Sequence, residues 1–426
     1  MFPTLYHFVF DFTGISLPFL KVVNTFGFFV AMSIGAAFWA MSSEFDRRTA
    51  LGQFAKVKVK QVTGVGVAKS EYALNALMAF VFGYKILFLM METGDGFSPQ
   101  DHIFSAEGSF LWGILATAFS LWRTWVADKK QRSMEPSTTV IEMGASANMP
   151  NITTVALLSG FLGAKVFHLL ETPSEIHWDT FISDLFTSGG WTFYGGLICG
   201  AAGVIWYTSK KGMHWTHVFD AGGPAMMLSY GVGRLGCQFS GDGDWGISNL
   251  KANPGLPDWA WAYKYPHNVL GKDYASTGME RIPGCSGEYC YQLSVPVYPT
   301  PLYEALMALG LFAILWFVLR KRNWAPFQFF SIYMMMAGAE RMLIEQIREH
   351  GISLYEVFGV QFSQAQMISG ALMVETLASR AATCSVSSPL TVSISVLTCA
   401  VTSAIFSTLA ASIASSFSMI SFMINL

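Results

Sequence analysis

The run Leu302-Tyr-Glu-Ala-Leu-Met-Ala-Leu-Gly-Leu-Phe-Ala-Ile-Leu-Trp-Phe-Val-Leu319, closed by Arg320-Lys321-Arg322, decides the fold. As an α-helix it is long enough to cross the hydrocarbon of a bilayer, roughly 30 Å thick, and the basic triplet marks where it must leave the lipid. Similar runs recur on both sides of it. Spans are expected near Phe26–Met41, Ala73–Met91, Phe110–Val126, Ile152–Leu170, Trp191–Thr208, Val218–Phe239, Leu302–Leu319, Phe327–Ile347 and Phe362–Leu377, so the chain crosses a membrane about eight or nine times.

Charge between the spans sets their direction. Arg47, Arg48, Lys56, Lys58 and Lys60 follow the first span; Lys129, Lys130 and Arg132 the third; Lys210 and Lys211 the fifth; Arg320, Lys321 and Arg322 the seventh. Even spans exit into acidic or neutral loops such as Glu92–Glu107 and Glu171–Gly190. Basic loops stay in the cytoplasm, so the N-terminus and the loops after even spans are expected outside. Composition agrees. Hydrophobic residues make up 52% and charged residues 13%, too little charge to cover a water-facing surface, and mean hydropathy is +0.41. A net charge of −2 supplies no basic field, which excludes nucleic acid as a partner.

The fold class expected is all-α: a polytopic transmembrane helical bundle with an extracytoplasmic loop cap. Residues 1–25 form an N-terminal extracytoplasmic segment. They include Asp11 and lack a basic start, so they read as no cleaved signal peptide and the first apolar run as an uncleaved anchor. Residues 26–377 form the transmembrane domain, within which the loop 240–300, rich in Gly, Pro, Trp and Tyr, builds the cap. None of the six cysteines shows zinc-type spacing. Cys285 and Cys290 lie in the cap on the oxidising side, either bridged or as two thiols. From 378 to 426 the composition turns to Ser, Thr, Ala, Ile and Val. A further span, a species-specific extension and a shifted reading frame all fit that tail, and no function is assigned to it.

Charge inside a span costs about 2.5–3.5 kcal/mol on insertion scales, so the exceptions carry information. The first is Tyr230-Gly-Val-Gly-Arg234-Leu-Gly-Cys237-Gln-Phe-Ser-Gly241-Asp242-Gly-Asp244-Trp-Gly246 at the outer end of the sixth span. Its glycines permit close approach and tight turns, and a guanidinium there is shaped for bidentate contact with a phosphate. The bland alternative is a snorkelling arginine. The second is Gly338-Ala-Glu340-Arg341-Met-Leu-Ile-Glu345-Gln346-Ile-Arg348, where Arg341 and Glu345 share one face at i,i+4 spacing. It reads either as a structural ion pair or, with Arg234 at the same depth, as part of a polar pocket for an anionic lipid headgroup. Trp191-Thr-Phe-Tyr194-Gly195-Gly196, Tyr298-Pro-Thr-Pro-Leu-Tyr303-Glu304, and Lys165 with His168 add polar groups at that level.

These motifs, in content and order from about Phe26 to Leu377, resemble the prolipoprotein diacylglyceryl transferase family of bacterial inner membranes. Gly233-Arg234-Leu235-Gly236 through Gly246 looks like the family signature. Tyr194-Gly195-Gly196 resembles a motif usually written His-Gly-Gly, Tyr298-Pro299 with Leu302-Tyr303-Glu304 its His-Pro-x-x-Leu-Tyr-Glu, and Arg341 to Glu345 its Arg-x-x-x-Glu helix. The chain departs from the family in having Tyr194 and Tyr298 for the usual histidines, Cys237 for the signature's Asn, Asp242 where Glu is customary, one extra residue before Gly246, and Phe26-Gly27 where Tyr-Gly is common. An extra span or two precedes the matching core.

The resemblance implies transfer of a diacylglyceryl group from phosphatidylglycerol to the lipobox cysteine thiol of a prolipoprotein signal peptide, releasing glycerol phosphate without metal or cofactor. The site would lie toward the extracytoplasmic leaflet of the inner membrane, among membrane lipids. Arg234, Arg341, Glu345 and Asp242 are the expected catalytic group: Arg234 clamps the headgroup, Arg341 assists, and the two acids orient them or bind glycerol hydroxyls. Substrate contacts are expected from Arg234, Tyr194, Gly195, Gly196, Cys237, Gly246, Tyr298, Tyr303 and Glu304. The acceptor of the thiol proton stays open among Tyr194, a carboxylate and water. Competing readings are a related lipid-group transferase, a lipid-binding paralogue without turnover, and a carrier; against the carrier, the polar groups gather at one leaflet.

Overall fold

The computed structural model describes residues 1–92, 107–172, 192–251, 255–270, 278–287, 289–322, 324–348, 354–357 and 360–363. Each of the first eight expected spans is a helix. A short α1 (Leu5–Thr13) precedes α2 (Thr25–Ala50), and α3 (Lys69–Phe82) continues through a π-helical turn to Glu92. There follow α4 (Phe110–Arg132), α5 (Met149–Glu171), α6 (Phe193–Lys210), α7 (Trp215–Ser240), a single turn α8 (Asp258–Trp261), α9 (Thr300–Ala313, prolonged to Lys321) and α10 (Gln328–Ile344). Among the described residues four stretches are long and apolar enough to cross a membrane on composition alone: Thr25–Ala50, Lys69–Met90, Ala145–Glu171 and Thr300–Lys321. Between 11% and 28% of each such stretch is buried inside the protein, so most of its apolar surface faces outward, as lipid contact requires. The ninth expected span lies outside the described residues except at its start, where Phe362 and Ser363 belong to a hairpin of Leu354–Val357 with Val360–Ser363. The tail from 378 lies wholly outside them.

The central helix is α7. It packs against α2, α9 and α10, and its buried side includes Val218, Ala221, Ala225, Met227, Gly231 and Gly236. Small residues let these neighbours come close where no hydrophobic effect drives helices together. α5 and α6 follow the same rule: Gly160 and Gly163 face Gly195, Gly196 and Gly200 across their seam.

One feature escaped the hydropathy reading. The basic segment after α2 and the segment after α4 pair as antiparallel strands, β1 (Val57–Thr63) with β2 (Ser137–Met143). This ladder places both segments at one end of the bundle, consistent with their assignment to one side. The basic clusters there are also not merely solvated. Glu44 is fully buried and contacts Arg47 at 2.8 Å, Arg48 at 3.5 Å and Arg320. Arg48 also reaches Asp220 at 3.6 Å. Asp220 in turn accepts from the amides of Phe327 (3.0 Å) and Phe330 (2.8 Å), satisfying orphan donors at the start of α10.

At the opposite end, the described residues between 240 and 300 include a small antiparallel pair, β3 (Met279–Arg281) with β4 (Tyr291–Leu293), and a buried cluster of Tyr265, Leu293 and Val297. Cys285 and Cys290 are disulfide-bonded. The Tyr265 hydroxyl donates to Gln238 of α7 at 2.8 Å, tying cap to bundle.

Candidate functional site

The site is built where α7 ends, α9 begins and α10 ends. Gly241 terminates α7 in the left-handed conformation (φ 68°), its amide bonding back to Cys237 at 3.0 Å. A residue with a Cβ would be strained there and would also meet Asn268. The turn carries Asp242 and Asp244 back over the helix end. The chain next threads between two backbones: Gly246 donates to the Tyr298 carbonyl (2.9 Å) and Ile247 to that of Ile347 (2.9 Å). A Cβ on Gly246 would collide with the Ile347 carbonyl and with Thr300. Glycine at 246 therefore holds three segments in register, and with them Asp244, Tyr298 and Arg348.

Glu304 is the hub. Its side chain has no solvent exposure. Arg234 Nε approaches Oε2 at 2.9 Å, while Arg348 and Arg341 approach Oε1 at 3.1 Å and 3.4 Å. Asp244 forms the second node, pairing with Arg234 and, at 2.7 Å, with Arg348. Glu345 pairs with Arg341 at 3.2 Å. Burial opposes ionisation of Asp244, but Arg234 and Arg348 outweigh it and hold its carboxyl below the usual range. Asp242 moves the other way: burial, with Asp244 beside it, pushes it up.

The arrangement extends the sequence reading. Arg234 and Arg341, expected to hold one headgroup, meet at one carboxylate. Asp242 is expected to orient the guanidiniums or to bind glycerol hydroxyls; the contact with Arg234 is made by Asp244, and the Gly241 turn aims Asp242 at the Cys237 thiol and at the Asp244 amide (3.4 Å). Cys237 is buried, 3.8 Å from Arg234. Tyr194 is partly exposed, within electrostatic reach of Arg341 and Glu345. Gly195 and Gly196 lie in the α5–α6 seam, where a Cβ at 195 would strike Phe167. Tyr298 sets its ring edge-on to Trp261 (5.4 Å between centroids), and the Tyr303 hydroxyl donates to the Ala260 carbonyl at 2.7 Å. Both tyrosines thus anchor the cap. Asp244 and Arg348, not chosen from the sequence, complete the network; both stand inside the two charged motifs, which was the available signal.

Cys237, Asp242 and Asp244 bring possible ligand atoms within 4.8 Å of one another. Two guanidiniums already on Asp244 oppose a cation there, so the set does not fit a metal. Chemically the assembly is an array of guanidinium donors, partly exposed at Arg341 (27%) and Arg348 (17%), held by buried acids. Such an array suits an anionic, oxygen-rich group.

Fold and site together define a polytopic membrane protein with a buried, arginine-rich ion-pair cluster at one end of its bundle. Residues 110–380 match the family model described as Prolipoprotein diacylglyceryl transferase. The chain belongs to that family. It is similar to the phosphatidylglycerol--prolipoprotein diacylglyceryl transferase of Leptospira interrogans serogroup Icterohaemorrhagiae serovar copenhageni, 27% identical over 216 residues, which is 46% of this chain and 59% of that relative. The transferase of that name from Corynebacterium diphtheriae is 28% identical over 212 residues (49% of this chain, 69% of the relative). That from Vibrio vulnificus strain CMCP6 is 29% identical over 229 residues (52% and 71%).

Proposed function

We propose that this protein transfers the diacylglyceryl group of phosphatidylglycerol to the lipobox cysteine thiol of prolipoproteins, in a bacterial inner membrane, with the site toward the extracytoplasmic leaflet. The observation that carries the reading is the convergence of Arg234, Arg341 and Arg348 on Glu304, at the end of the bundle opposite the basic clusters. The phosphodiester of the lipid head docks against the guanidinium N–H groups not taken up by Glu304 and Asp244, with its acyl chains left in the surrounding lipid. The thiol sulfur attacks the glyceryl carbon, the carbon–oxygen bond to phosphate breaks, and glycerol phosphate leaves with one more negative charge than it had as a diester. Arginines already fixed by buried acids meet that charge without reorganising, and removing one such donor typically costs about 10²–10³ in kcat.

The test uses purified protein, phosphatidylglycerol vesicles and a peptide carrying a lipobox cysteine, with glycerol phosphate release followed. Release that Arg234→Ala abolishes is expected; no release from correctly folded protein overturns the reading. Lipid binding without turnover is the second reading. It is favoured by tyrosine at 194 and 298 in place of the family's histidines, with Tyr298 engaged in packing against the cap, and tight phosphatidylglycerol binding with no release selects it.

A further inference from the structure

The transferase reading leaves the acceptor of the thiol proton open among Tyr194, a carboxylate and water. Tyr298 is packed on Trp261, and the Asp244 and Glu304 carboxylates are each held by two or more arginines. Glu345 is paired with Arg341, and Asp242 is turned to Cys237. One further carboxylate adjoins this cluster. Glu340, on α10, precedes Arg341 by one residue and is 5% exposed. Its Oε1 is buried and receives no hydrogen bond from any described residue. The groups acting on it include Tyr230 and Arg234 from α7, Glu304 from α9, and Tyr333, Arg341 and Arg348 from α10 and the residues after it.

We propose, resting on the transferase reading, that Glu340 is the group that takes the proton from the acceptor thiol. A carboxylate oxygen buried without a donor is costly to keep, and leucine would fill much the same space without that cost. The free oxygen is explained if a donor arrives with substrate, and a thiol is such a donor. Its neighbours also suit the task. Glu340 adjoins Arg341 in the chain and lies within electrostatic reach of Arg234, Arg348 and Glu304. These arginines also mark where the phosphate would lie, so the acceptor and the leaving group are served by adjacent parts of one cluster.

The step balances. The S–H bond breaks and its proton goes to the Glu340 carboxylate. The sulfur electron pair forms the C–S bond to the glyceryl carbon, and the C–O pair departs with glycerol phosphate. The proton on Glu340 then passes to the departing phosphate, restoring the carboxylate. Transfer occurs as the C–S bond forms, so Glu340 does not have to ionise a free thiol beforehand.

Glu340→Gln, an isosteric change, tests this in the vesicle assay. The expected result is a fall in kcat of about 100-fold or more near pH 7, with KM for phosphatidylglycerol little changed. The defect should shrink as pH rises through about 8.5, where the peptide thiol ionises by itself. Glu340→Asp should retain part of the rate. The proposal is overturned if E340Q keeps the wild-type rate, or if it loses the same factor at every pH from about 6.5 to 9.5, as a purely structural role would give. A wild-type protein that releases no glycerol phosphate at any of these pH values fails the transferase reading itself, and the proposal with it. Active wild type with unaffected E340Q fails the proposal alone.

Discussion

Arg348 and Glu304, separated by 44 positions in the chain, meet at 3.1 Å, and the Glu304 side chain has no contact with solvent. Arg348 lies beyond the end of α10, so its place depends on backbone pairing of its segment with Gly246 and Ile247 rather than on the helix. The charged cluster is therefore only as ordered as that pairing.

Removing the hub should cost both stability and turnover. Glu304→Ala leaves three guanidiniums without their common counter-charge, and breaking a buried ion pair by deleting one partner typically costs about 3–5 kcal/mol. A lowered melting temperature in detergent, together with loss of glycerol phosphate release, is the expected outcome. An unchanged melting temperature would mean the arginines are neutralised by other groups.

Gly246→Ala changes no charge, yet it should disable the site. The added methyl group meets the Ile347 carbonyl and Thr300, and overpacking of this kind usually costs about 1–3 kcal/mol. Because the displaced segment carries Arg348, activity should fall further than stability does. Retention of wild-type kcat in the alanine variant would show that the three-segment register is dispensable.

Asp244 and Asp242 predict opposite pH behaviour. The fold lowers the carboxyl of Asp244, so its stabilising contribution is present above the ordinary aspartate value of about 3.9 and is lost as pH falls through the depressed one. The fold raises Asp242, so its contribution runs the other way: stability is lost as pH rises from about 3.9 through the elevated value. Melting curves between about pH 3 and 7 check both. Asp244→Asn should weaken the acid-side loss, and Asp242→Asn should gain relative stability toward neutral pH.

At the far end, Asp220→Ala removes the acceptor of the Phe327 and Phe330 amides and one partner of the buried Arg48. Loss of a helix cap alone costs about 0.5–2 kcal/mol. Thermal stability should fall, while turnover per folded molecule stays near wild type because no residue of the Glu304 arginine cluster is touched. A selective loss of turnover would reveal coupling between the two ends.

Much of this fold is legible in one dimension. Apolar runs such as Leu302–Leu319 and the basic clusters between them predict eight helices that the structure contains, because lipid imposes its demand on each segment separately. The two charged motifs were legible for the same reason: charge within a span is expensive, and Arg234 and Arg341 stand out against it. The paired strands Val57–Thr63 and Ser137–Met143 were not, because neither segment shows by itself that the other completes its hydrogen bonds.

The sequence alone determined where the helices run, which loops are basic, and that two arginine-bearing helices carry something polar, since hydropathy and charge act residue by residue. Tertiary structure decided which charges meet. Asp244 rather than Asp242 reaches Arg234, Arg348 joins a carboxylate 44 residues away, and Arg48 and Arg320 converge on the buried Glu44. Ion pairing depends on distances of a few ångströms between groups far apart in the chain, and only the packing of α2, α7, α9 and α10 sets those distances.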